Sequence, residues 1–511
     1  MAITRRQFLK RAAISGAAAG LAPGFKWLPG TNVSYAAGPS DAIVVFVQLY
    51  GGNDGINTVY PVSGGQRVLY DEFRPTLGLP STDGGCAARA AAAGFGSPTV
   101  LSLGSNTNGS TYALHPAMTA LHDVYNAGKL AVLPGVQYPF ADHSHFRSEV
   151  IWYTLDPLGS SGQGWFGHYL NNYPLVFHPT DVPGIMLGDS LSPVFTPSNT
   201  SLLAFNRLSE LRFPADGELA LKQAKFSLLY SKAAARGASF PEVVSMGNSG
   251  AATVAHINDY YQSGAATGMV EALLVDGNGD YDPSNPLIYS SPLNETDNPA
   301  IAGMGLARDL KHVAAVIRSQ VGARFFHVAT GGFDSHSNQE RDFYHSQLLR
   351  EVSESIAAFY NEMANASANP GGGYLTGDIS DKVVVVTFSE FGRTIRQNAP
   401  GATAAGTDHA TSIPVFVVGG LVNGGTAQFS QSAYAYPLFN DPGENDDDLK
   451  ISLDFRDVFG TILNRWLNVP LSDLDPMGAV KLLPPTIPLD PNQNGPRQSY
   501  TSFTALDFLD P

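Results

Sequence analysis

Four apolar runs, each meeting a turn that carries an acid or a histidine, constrain this chain more than any other feature. VVFVQLY leads into GGNDG with Asp54, and RFFHVAT leads into GGFDSH with Asp334 and His336. KVVVVTF leads into SEFGR with Glu390, and GTDHA with His409 stands just before IPVFVVGG. Continuous Val-rich runs are typical of strands buried on both faces of a parallel sheet, and such sheets bind ligands in the crevice at their carboxyl edge. Three carboxylates and two imidazoles are therefore expected to converge there. Carboxylate oxygens and neutral imidazole nitrogens are the donors of zinc, manganese and calcium sites, so a divalent metal is the expected cofactor.

Between these runs the hydrophobic period changes from two to 3.6 and back. HPAMTALHDVYNAGKL (115–130) predicts an amphipathic helix, and AVLPGV predicts a short strand after it. GLARDLKHVAAVIRSQ predicts a helix feeding the strand at 324–330, and FYHSQLLREVSESIAAFYNEMAN one feeding the strand at 383–388. DFRDVFGTILNRWLNV predicts a late helix. The alternation implies an α/β fold, a mostly parallel central sheet with helices on both faces. GGCAARAAAAGFG reads as an exposed insert, residues 155–300 as a loop-rich cap on the sheet, and the Pro-rich tail from 483 as a surface wrap. No linker forces a split, so 37–511 is expected to be a single domain.

The N-terminus places Arg5 and Arg6 before Phe8, Leu9 and a weakly apolar, Ala-rich stretch, the pattern of a twin-arginine export signal. Ser34-Tyr35-Ala36 offers a small-x-small cleavage site, giving a signal over 1–36, no membrane span after cleavage, and a periplasmic or extracellular destination. Cys86 is the sole cysteine, which excludes an intramolecular disulfide framework and a multi-cysteine zinc site. A formal net charge of −15 argues against nucleic acid or an anionic membrane as partner.

Several polar residues near these turns are candidates for chemistry. ADHSHFRSEVIWYTL enters a helix at Ser144, with Asp142, His143 and His145 beside it. Ser144 as nucleophile and His145 as base fit catalysis, and the same residues fit helix capping. Asn53, Arg147 and Arg393 are candidates for binding an anionic substrate, and either arginine also fits a structural ion pair. Asp54 fits a plain turn residue as well as a metal ligand, and Asp408 beside His409 fits an orienting carboxylate. No G-x-G-x-x-G follows the first strand, which argues against a dinucleotide cofactor.

LYGGNDGINTVYPV, HSHFRSEVIW, GGFDSHSNQ, FSEFGRT and GTDHA, in that order behind a twin-arginine signal, closely resemble the bacterial exported family called domain of unknown function 1501. That family looks like a branch of the alkaline phosphatase and sulfatase superfamily. The resemblance implies an alkaline phosphatase-like α/β fold with Asp54 as a first-strand metal ligand, Ser144 as nucleophile, and Asp334, His336 and His409 around one metal. Glu390 stands where the superfamily has aspartate, and Phe391 where the second metal's histidine belongs. The second site would then retain only Asp54, Glu390 and Ser144. The implied activity is metal-dependent hydrolysis of a phosphate, phosphonate or sulfate ester on a small molecule or polysaccharide. The alternative is a catalytically weak cell-surface or polysaccharide-binding protein with a structural metal.

Overall fold

The computed structural model describes residues 41–205, 305–476, 482–483 and 500–509, apart from 140, 159–160, 174–181, 189–190, 197–201, 319–321, 368–374, 399–403, 444 and 501. The expected signal, residues 206–300 of the expected cap, where LKQAKFSLLYSKAAARG and AATVAHINDYYQSG predict helices, and 484–499 of the tail lie outside the described residues.

An eight-stranded sheet organises the described chain. Its strands are β1 (Ile43–Leu49), β2 (Leu130–Gln137), β3 (Gly184–Leu187), β4 (Leu202–Phe205), β5 (Phe325–Thr330), β6 (Val383–Phe388), β7 (Ile413–Gly419) and β8 (Leu453–Asp454). Their order across the sheet is β8-β2-β7-β6-β1-β5-β3-β4. β1 lies at the centre, parallel to β5 through Val44↔Phe325 and to β6 through Val44↔Val384. Every neighbouring pair is parallel except those made by β7, which runs antiparallel to both β2 and β6.

Strand alternation sends successive side chains of β1 to opposite faces. Val45, Val47 and Leu49 enter one core with the helices Thr119–Asn126, Leu306–Arg318 and Tyr344–Met363. Val44 and Phe46 enter the other with His145–Thr154, Trp165–Asn172 and Phe455–Thr461. The sheet is thus buried on both faces, as its unbroken Val runs require.

Four segments differ from the sequence reading. The expected helix at 115–130 is shorter, Thr119–Asn126, because His115 to Met118 forms a turn in which Ala117 N–H donates to His115 Nδ1 at 3.0 Å. The Ala-rich segment is a helix, Asp83–Ala93, capped by Thr82 and ended at Gly94 with φ +73°, and its Cys86 is buried rather than exposed. The described part of 155–205 adds β3 and β4 to the edge of the central sheet and lays the helix Trp165–Asn172 over one face, since GIML and LLAF are apolar enough to pair there. The end of the tail is anchored: Phe508 and Leu509 are buried in the second core.

Candidate metal centre

The reversed β7 explains how this centre assembles. Asp54, Asp334 and His336, and Glu390 follow the carboxyl ends of β1, β5 and β6, while the loop after β2 delivers His143 and His145. His409 precedes β7, and only an antiparallel β7 starts at the edge where the others end.

Three histidine rings are held there in the same sense. His145 Nδ1 lies 2.7 Å from Glu390 Oε1, His336 Nδ1 lies 2.9 Å from Asp408 Oδ1, and His409 Nδ1 lies 2.9 Å from the carbonyl of His143. Each partner accepts hydrogen bonds, so each Nδ1 carries the proton and each Nε2 presents a lone pair. All three lone pairs meet Asp334. His336 Nε2 and His409 Nε2 stand 3.0 and 3.2 Å from its Oδ1, and His145 Nε2 stands 3.6 Å from its Oδ2. The Nε2 atoms of His336 and His409 are themselves 3.0 Å apart. Acceptors this close without a proton between them repel, and a cation is what relieves them.

Arg393 supplies one positive charge from beneath, donating to Asp334 Oδ1 at 2.7 Å. Burial opposes ionisation of Asp334, but the bond from Arg393 holds its carboxyl below the usual range. The bond from His336 likewise lowers Asp408, and burial lowers His409, favouring its neutral, ligating form. Asp334 and His336 are 47% exposed while His145 and His409 are 19% exposed, so the centre opens to solvent on the Asp334 side.

The remaining candidates fall elsewhere. The Asp54 carboxylate is fully buried and engaged by Arg74 and Gln339, both at 2.5 Å, and by Asn57 N; it makes no contact with the histidines. Glu390 is fully buried and accepts from Gly51 N at 2.8 Å as well as from His145, so it orients a ring instead of facing the centre. Arg393 is buried and donates to the carbonyls of Gly51, Gly52, Phe333 and Thr407, leaving a substrate anion no route to it. Asn53 is also buried, tied to Thr58 and His345. Arg147 is 56% exposed and pairs with Asp142 at 3.0 Å. Ser144 occupies the N-cap of its helix with no capping bond from its side chain, and its hydroxyl makes no hydrogen bond among the described residues. Phe391 packs its ring 4.8 Å from that of His145 and 4.3 Å from that of His409, an apolar wall against both.

Residues 303–468 match the model of a family described as Protein of unknown function (DUF1501). The match supports the DUF1501 resemblance, and it spans Asp334, His336, Glu390, Asp408 and His409, leaving His145 outside it. No curated protein and no solved structure matches the chain.

Proposed function

We propose that this chain is an exported, metal-dependent hydrolase of the alkaline phosphatase-like kind, acting on phosphate or sulfate esters. One observation carries the reading: three imidazoles are tied back through Nδ1 so that their Nε2 lone pairs crowd one carboxylate. Asp334, His336 and His409 would hold the ion, and a nitrogen-rich set favours zinc or manganese over calcium, which prefers oxygen. A bound divalent ion supplies Lewis acidity toward the ester oxygen and makes a nearby water more acidic. His145 Nε2 is the group placed to take the proton from an attacking water, with Glu390 holding Nδ1–H and stabilising the imidazolium. Ser144, with no base on its hydroxyl, is not assigned the attack. With Asp54 bound to Arg74 and Phe391 packed against the rings, the reading has one ion and no second.

A second reading has its own support. His145 is oriented as the two ligating histidines are, and as a fourth ligand it would close the shell, the mark of a structural metal. His145→Ala separates the two. A base is lost with turnover down about 10²–10⁴-fold at unchanged metal content, whereas a ligand is lost with the metal. The assay is hydrolysis of phosphomonoesters, phosphodiesters and sulfate esters with added zinc or manganese. No turnover on any of them, with a metal that leaves on His145→Ala, establishes the binding-protein reading. Lysine at both Arg5 and Arg6 is expected to block export, measured as retention of full-length chain in the cytoplasm.

A further inference from the structure

Behind this centre lies a second group of metal-type side chains, His115, Glu340 and His345. Both histidines are buried at 0% exposure, and the Glu340 side chain is 10% exposed. His115 Nε2 is 3.9 Å and His345 Nδ1 is 3.7 Å from Glu340 Oε1, beyond direct hydrogen bonds. Neither Glu340 Oε1 nor His345 Nδ1 has a hydrogen-bond partner among the described residues. Buried polar atoms left in that condition are costly, so a guest between them is called for.

Proton positions identify the guest. The Thr58 hydroxyl donates to the Asp54 carbonyl at 2.8 Å and therefore accepts from Asn53 Nδ2 at 3.0 Å. That fixes the Asn53 amide with Oδ1 toward His345 Nε2, 3.2 Å away. His345 thus carries its proton on Nε2 and turns a bare Nδ1 lone pair into the gap. His115 is set the opposite way. Ala117 N–H donates to His115 Nδ1 at 3.0 Å, so the His115 proton sits on Nε2; the Ser346 hydroxyl, which donates to Glu340 Oε2 at 3.0 Å, accepts that N–H at 3.3 Å. Glu340 is paired with Arg89 at 2.8 Å through its other oxygen and presents Oε1 as an ionised acceptor.

The gap therefore holds two bare acceptors, one nitrogen lone pair and one carboxylate oxygen, beside an imidazole whose facing nitrogen is protonated. A metal ion would meet the His115 N–H, which offers it no lone pair; a water gives one hydrogen each to His345 Nδ1 and Glu340 Oε1, the two atoms left without a partner. We infer that His115, Glu340 and His345 enclose a single structural water and not a second metal. The water locks the His345 ring against Asn53, and so backs the turn whose Gly51 N–H holds Glu390.

Two measurements on the full chain test this. Zinc added to the Asp334→Asn/His409→Gln double variant should leave less than about a tenth of an ion per chain after desalting; one retained zinc per chain overturns the inference. A crystal of the unaltered protein soaked in zinc should show an ordinary solvent peak within hydrogen-bond distance of His345 Nδ1 and Glu340 Oε1, with no anomalous signal at the zinc edge. An anomalous peak there, or a direct bond between His345 and Glu340 with no solvent, overturns it equally, whether or not the variant folds.

Discussion

Glu390 shows how one side chain can matter to the proposed metal centre without facing the ion. Burial raises its carboxyl above the usual range, and the bond from His145 offsets only part of that. Glu390→Gln keeps the shape and an acceptor oxygen but removes the charge opposite His145. The expected result is kcat down about 10–100-fold with metal content unchanged, read by steady-state assay and metal analysis. Departure of the metal would instead make Glu390 a ligand. Asp54 is the converse case, an acid at a strand end whose role is structural. Arg74 and Asp54 have side chains at 0% exposure, and removing one partner of such a pair strands a buried charge. Arg74→Met is expected to lower unfolding free energy by about 3–5 kcal/mol in urea. Burial disfavours the charge on Asp54, yet the Arg74 pair overrides it and its carboxyl is held below the usual range. Its stabilising contribution is therefore present above the ordinary aspartate pKa and lost as pH falls through the lowered one.

At the scale of elements, the turns were legible in the sequence and the pairings across them were not. Asp334, His336 and His409 could be read as one cluster because each abuts a Val-rich strand at a fixed position. The antiparallel course of β7 carries no local signal, since VFVV reads the same in either direction, and neither does the link from His336 to Asp408 across 72 residues. The Gly51-Gly52 turn is where backbone chemistry shows through: their φ values are +119° and +79°. A Cβ at Gly52 would lie 2.4 Å from the Phe391 ring, and one at Gly51 would lie 2.4 Å from Asp334 N. Gly52→Ala is expected to destabilise by about 1–3 kcal/mol from backbone strain alone and to displace Phe391 from the histidines, read by urea midpoint and turnover together. Glu351 gives the same scale a pH signature. It caps the helix Leu306–Arg318 by accepting from Leu306 N at 3.1 Å, and burial pushes its pKa up to about 7. Between the ordinary glutamate value and about 7 the folded chain holds a proton that the unfolded chain has lost, so stability falls as pH rises across that window. Glu351→Gln is expected to flatten that slope between pH 5 and 7 in thermal melts; an unchanged slope assigns it to other groups.

For the whole molecule, the question is whether the proposed metal would belong to the fold or only visit it. The centre draws residues from the loops after β2, β5 and β6 and from the segment before β7, so an ion there would tie together strands that β7 separates. No such site exists in the unfolded chain, where these groups lie up to 264 residues apart, from His145 to His409. Binding that requires the native state stabilises it by RT ln(1 + [L]/Kd), about 2.7 kcal/mol at a hundredfold excess over Kd. Melting temperature is therefore expected to rise with zinc or manganese concentration and to fall after chelation. Asp334→Ala and His409→Ala should each abolish that dependence, whereas Asp54→Ala, which removes no contact with the centre, should lower the melting temperature yet keep its response to metal. A melting temperature indifferent to both metal and chelator would leave the convergence of three histidines on Asp334 as a hydrogen-bonded cluster, with a proton in the place assigned to the ion.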